Sequence, residues 1–178
     1  MTALVEKHFQ KGDATSAALY SPCGHYRYAL TRVWDAAAPR LLYVMLNPST
    51  ATEQQNDPTI ERCERRARTL GYGGFRACNI FAWRETSPAL LKKAADPIGP
   101  ANDAQLAEAA RWVGDNGLIL CGWGAHADHM GRGKTCAALL RATGRPLAHL
   151  GLTKAGEPRH PLYIAYAAQP HRWTVAVD

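Results

Sequence analysis

Four short apolar runs punctuate this chain: LLYVML over 41–46, FRACNIFAW over 75–83, LILCGW over 118–123 and PLAHLG over 146–151. Runs of this length bounded by breakers suit strands covered on both faces. Helical spacing separates them. Ile60, Cys63, Ala67 and Leu70 recur between Asp57-Pro58, a cap followed by a first-turn proline, and the stop at Gly71. A short helix opens at Ser87-Pro88, Leu106, Ala109, Ala110 and Val113 mark a longer one, and another lies around 133–142. Alternating strands and helices imply right-handed crossovers and a mostly parallel sheet with helices on both faces. The expected fold is a three-layer α/β/α domain with a central, mostly parallel four-stranded sheet. Ahead of it, residues 17–35 alternate around Pro22 and Gly24 and predict an N-terminal β-hairpin. The first dozen residues read as helical or disordered, and the final PHRWTVAVD as a closing strand or a tail. Without repeats, low-complexity stretches or linkers, residues 1–178 read as a single domain.

Composition narrows the function classes. A chain of 178 residues, 47% hydrophobic, hides roughly 70% of its unfolded surface, which argues against a disulfide scaffold or a disordered regulator. No apolar run approaches the about 18 residues that cross a bilayer, so no membrane partner is expected. The opening MTALVEKHFQKGDATS lacks an apolar core and a small-residue cleavage site, and the expected location is the cytoplasm. Five cysteines, none paired at CxxC spacing, read as buried thiols. The formal net charge is +6, and residues 59–93 alone hold eight bases against three acids. Arg62, Arg65, Arg66 and Arg84 lie in that stretch. It reads either as a phosphate-binding face or as an ordinary solvated helix.

In parallel sheets, ligands sit beyond the carboxyl ends of the strands. Asn47 follows the first run with Pro48, Ser49 and Thr50; Asn79 lies in the second; Trp123-Gly124 closes the third; Arg159 and His160 lie in the loop after the fourth. These groups are expected to converge on one edge. The Asn47 amide can orient a water or read a base edge, or it closes an Asx turn. Asn79 is the odd polar residue in an apolar strand and bonds either to backbone or to a ligand. Asp57 is either a helix cap or a charge that activates water or balances a cation. His160 sits in a rigid Pro-bounded loop and suits a donor to developing negative charge. Two decoys fall short. Gly133-Lys134-Thr135 resembles the end of a phosphate loop, but Asp128 occupies the position of its first glycine. His126 and His129 have no third ligand in view, so neither a metal nor another cofactor is expected.

The segments LNPSTA, NDPTIERC, GYGG, NIFAWRETSP, PIGPAND, GWGAHA and GLTKAGEPRHPLYI together resemble the bacterial domain-of-unknown-function family 1643, over nearly the whole chain. The motif order is also similar, more distantly, to the uracil-DNA glycosylase superfamily. That likeness implies that Asn47-Pro48 matches the water-positioning motif, that Asn79 reads a flipped pyrimidine, and that LCGWGAHA matches the third motif. It further implies that His160-Pro161-Leu162-Tyr163 supplies a histidine to the base oxygen and a wedging side chain. There are departures. Leu162 stands where serine is usual, Asn47 stands where aspartate does the chemistry in other branches, no stacking aromatic is assigned, and the iron-sulfur cysteines are not evident.

The resulting expectation is an N-glycosylase-like hydrolase for an unusual or modified pyrimidine, with nucleic acid as partner and DNA ahead of RNA. Asn47, Asp57 and His160 would do the chemistry. Ser49, Thr50, Asn79, Trp123, Gly124, Arg159, Leu162 and Tyr163 would hold the substrate, and Arg62, Arg65, Arg66 and Arg84 the backbone. The alternatives are a hydrolase of free nucleosides or nucleotides and a non-catalytic binding module. The sequence leaves the oligomeric state open.

Overall fold

The computed structural model describes residues 3–174. Its strands are β1 (Val5–Lys11), β2 (Ala14–Tyr20), β3 (Arg27–Val33), β4 (Arg40–Met45), β5 (Gly74–Asn79), β6 (Leu118–Gly122), β7 (Leu147–His149) and β8 (His171–Arg172). The helices are α1 (Pro58–Thr69), α2 (Pro88–Leu91), α3 (Asn102–Trp112) and α4 (Arg132–Arg141). All eight strands join one sheet in the order β1-β2-β3-β5-β4-β6-β7-β8.

This overturns the expected three-layer α/β/α fold with a central, mostly parallel four-stranded sheet plus an N-terminal hairpin. The sheet is mixed: β4 pairs in parallel with β5 and β6, and β6 with β7, whereas β1/β2, β2/β3, β3/β5 and β7/β8 are antiparallel. The hairpin is therefore not an appendage. Its second strand, β3, carries the sheet outward from β5.

Within the first dozen residues, Val5–Lys11 form β1, against the expectation of helix or disorder there. Six of its seven residues are exposed, so no buried face marked the strand in sequence. Gly12 and Asp13 make the two-residue turn into β2, with Gly12 at φ +59°. At the other end His171–Arg172 form β8 beside β7, while residues 175–178 of the expected closing strand or tail lie outside the described residues.

Alternation along β4 sorts the core. Leu42, Val44 and Leu46 join one apolar cluster with Leu106, Ala109 and Ala110 of α3 and Cys136, Ala137 and Leu140 of α4. Leu41, Tyr43 and Met45 join another with Ile60, Cys63 and Ala67 of α1. Among the described residues no helix is long and apolar enough to cross a membrane. Cys63, Cys78, Cys121 and Cys136 are buried as expected, but Cys23 is exposed in the β2–β3 turn, where Pro22 and Gly24 leave no apolar layer to cover it.

Candidate functional site

Register brings the site together. Met45 at the end of β4 pairs with Asn79 on one side and with Gly122 on the other, so three central strands finish level. Asn47, Asn79 and Trp123 thus lie along one carboxyl rim. The end of β5 is fixed from behind: Asn102 Nδ2, at the start of α3, donates to the carbonyls of Asn79 (2.9 Å) and Ile80 (3.2 Å), and Arg132 Nε donates to Ile80 at 2.7 Å.

The β4–α1 loop is held by the hairpin. Arg32, fully buried, donates to Ser16 Oγ (2.8 Å), Thr52 O (2.8 Å) and Asn56 Oδ1 (3.0 Å). Ser16 and Tyr20 donate to the backbone and carboxylate of Glu53, and Arg27 Nη1 donates to Ala51 O at 2.8 Å. Buried donors paired this way fix a loop that has no regular structure of its own.

A cleft of about 540 Å³ opens at this rim. Its lining includes Asn47, Ser49, Thr50, Asp57, Trp123, Gly124, His160, Leu162 and Tyr163. A smaller alcove of about 30 Å³ shares Asn47, Ser49, Asp57, Thr59 and His160 with it and adds Asn79 and Arg27. Arg159 is exposed and lines neither, because its backbone N–H is paired with Gly151 O and its side chain runs beside Gly151. Sequence reasoning missed Arg27, Thr59 and Glu85, and weighed His126 only as a metal ligand although it lines the cleft. A charged residue within a strand was the available signal for Arg27.

Hydrogen bonds orient the key groups. Asn47 Nδ2 donates to Pro48 O (3.2 Å), Trp83 O (3.4 Å) and Glu85 O (2.7 Å), which leaves Oδ1 as the free end of the amide. Asp57 is the α1 cap and also lines the site. Its Oδ1 accepts from Ile60 N at 2.9 Å as the α1 cap, and its Oδ2 accepts from Ala51 N at 3.2 Å while the residue lines both cavities. His160 Nδ1 accepts from Leu162 N at 3.3 Å, so the neutral ring carries its proton on Nε2. Burial holds this imidazole below its ordinary pKa, against a smaller upward pull from Asp57. Asn79 is 2% exposed, and its Oδ1 is buried with no partner among the described residues. Trp123 is buried, with Nε1 2.5 Å from Glu157 Oε2, and Gly124 turns the chain at φ +73° while its N–H meets Pro158 O at 2.7 Å. Tyr163 stands 81% exposed at the cleft.

The basic residues separate. Arg66 is buried and donates to the carbonyls of Ile164, Ala165 and Ala168, and Arg62 donates to Ile164 O at 2.6 Å and stacks over Tyr166. Arg65 pairs with Glu61 on the exposed face of α1. Arg84 donates to Gly24 O and lies over the Tyr20 ring. The helix therefore does not present one continuous basic face, because its inner arginines serve the 164–168 segment. Among the described residues no three His, Cys, Asp or Glu side chains gather to hold a metal ion.

Fold and site together define a protein built on one mixed eight-stranded sheet, with a polar cleft at the carboxyl rim of its central parallel strands. The chain belongs to the family described as "Protein of unknown function (DUF1643)", whose model matches residues 27–162. Neither the curated proteins nor the solved structures provide a match.

Proposed function

We propose that this protein is a nucleic-acid-base N-glycosylase, hydrolysing the bond between sugar and base at an unusual or modified pyrimidine, with DNA as the preferred polymer. The observation that carries the reading is the gathering of Asn47, Asp57, Asn79 and His160, from two loops and a strand end, around one alcove. The motif order shared with the uracil-DNA glycosylase superfamily supports it.

The reaction needs placed charges more than a strong nucleophile. The C1′–N bond breaks with its electron pair staying on the base, water oxygen bonds to C1′, and the proton that water gives up ends on the base nitrogen. Asn47 Oδ1 accepts a hydrogen bond from the water, Asp57 supports the cationic sugar, and His160 Nε2–H donates to a base oxygen. Asn79 reads the ring edge. Taking a base out of a stack costs a few kcal/mol, and Tyr163 is exposed enough to fill the gap.

Oligonucleotides carrying uracil, hydroxymethyluracil and other modified pyrimidines test this directly. The expected products are a free base and an abasic site, lost in Asn47→Ala and His160→Ala. Release of no base from any of them would defeat the reading.

One observation favours a second reading, hydrolysis of a free nucleoside or nucleotide. Arg62 and Arg66 are engaged internally, which thins the grip on a phosphate backbone. Salt separates the two, since affinity resting on several phosphates falls steeply as salt rises.

A further inference from the structure

Four arginines are buried among the described residues: Arg27, Arg32, Arg66 and Arg132. Three are well provided for. Arg32 and Arg66 each donate to three acceptors, and Arg132 donates to Ile80 O and pairs with Asp103. Arg27 differs. It is 2% exposed, and its one side-chain hydrogen bond among the described residues runs from Nη1 to Ala51 O, against three for Arg32 and three for Arg66, although all three share an unpartnered Nε and lack an ion-paired carboxylate. Burying a guanidinium with so few partners is costly, so one that lines a cavity points to a ligand.

The cavity says what kind. Arg27 lines the 30 Å³ alcove beside Asn79, whose Oδ1 is likewise buried and unpartnered. That volume takes an atom or two and excludes a phosphate group. It opens along Asn47, Ser49, Asp57, Thr59 and His160, which also line the cleft large enough for a planar ring. Asp57, Tyr20 and Cys78 favour the charge on Arg27 and Arg84 opposes it, and burial lowers its pKa only to about 10, so it stays a cation near neutrality.

We propose that Arg27 is a ligand-reading group of this site, taking a ring oxygen that carries negative charge, so that the cleft holds an acidic nitrogen heterocycle in its anionic form. The identification of that ring as a base rests on the glycosylase reading. The guanidinium gives the departing base a full positive charge to meet, in addition to the neutral His160 donor.

The test uses the full chain at pH 7.5 with free uracil and with 5-fluorouracil, whose ring proton is more acidic. Ultraviolet difference spectra report the ionisation of the bound base. The expected result is an anion spectrum for bound 5-fluorouracil and tighter binding of it than of uracil. Arg27→Gln returns the neutral-base spectrum and weakens binding at least about tenfold. If Arg27→Gln does not fold, Arg27→Lys decides, since it keeps the charge but not the fork: the anion spectrum with weaker binding supports the proposal, and unchanged affinity overturns it. A neutral bound base in the wild type, no binding of either base, or an unaffected Arg27→Gln also overturns it. Base release from oligonucleotides is scored separately. Anion binding that depends on Arg27 without release would retire the glycosylase reading alone, and release unaffected by Arg27→Gln would retire this proposal alone.

Discussion

The hydroxyl of Tyr20 donates to Glu53 Oε2 at 2.9 Å, joining the second strand of the sheet to the loop that carries Asp57. Both residues are buried, and burial followed by the Glu53 carboxylate pushes the Tyr20 phenol above its ordinary pKa. Tyr20→Phe leaves a buried carboxylate oxygen without its donor, and the expected cost is about 2 kcal/mol in urea unfolding. Hydrogen exchange should rise in residues 51–57 more than in α3. Equal protection in that loop would show that other contacts hold it.

Arg32 carries more of the same loop. Arg32→Met removes donors from Ser16, Thr52 and Asn56 together, and a loss of about 3 kcal/mol or more is expected. Arg32→Lys recovers only part of it, because an ammonium cannot reproduce the planar fork.

His160 should titrate below the ordinary 6.5, since its half-buried ring loses solvation when charged and Nδ1 already accepts from Leu162 N. The folded state resists protonation here while the unfolded chain does not. The stability linked to this ring is therefore complete above pH 6.5 and drains away as pH falls through the window beneath it. Proton NMR of the imidazole reads the midpoint; a value above 6.5 would contradict the burial argument.

Gly122 ends β6 where the His-Pro loop crosses. A Cβ there meets Pro161 Cδ at 2.8 Å and Arg159 O at 3.3 Å. Gly122→Ala is expected to push His160 out of place, weakening binding of a free base at least tenfold on the scale of about 1.4 kcal/mol, with a smaller loss of stability. Calorimetric titration with the base, beside a thermal melt, separates the two effects.

Cysteine chemistry gives a simple check of burial. Cys23 is exposed, and the Ser21 hydroxyl 3.2 Å away holds its thiol below the usual range. Burial raises the other four, Cys78 to about 11 and Cys136 to about 12. A disulfide reagent should titrate one thiol in the native protein and five in denaturant. Mass mapping should find the native label on Cys23.

The parallel strands were legible because they are covered on both faces and so read as uninterrupted apolar runs, and the helices because each buries one face and so carries a three-four spacing. Ile60, Cys63 and Ala67 of α1 illustrate this. β1 was not legible, since Val5–Lys11 is exposed at the sheet edge, although the Gly12-Asp13 turn was a usable hint. The meeting of Asn47, Asn79 and His160 could be anticipated from strand order alone. Arg27 and Arg66 could not be assigned so, because an arginine looks the same in sequence whether it faces solvent, a carbonyl 98 residues away or a cavity.

The internal bonds of Arg66 bear on how the protein can be cut. Its acceptors lie at Ile164, Ala165 and Ala168, past the last residue matched by the family, and Ser16 and Tyr20 precede the first. A fragment trimmed to 27–162 would strand a buried cation at one end and strip the loop clamp from the other. A fragment meant to retain the cleft is therefore expected to need residues beyond the family boundaries in both directions, from β2 through Ala168.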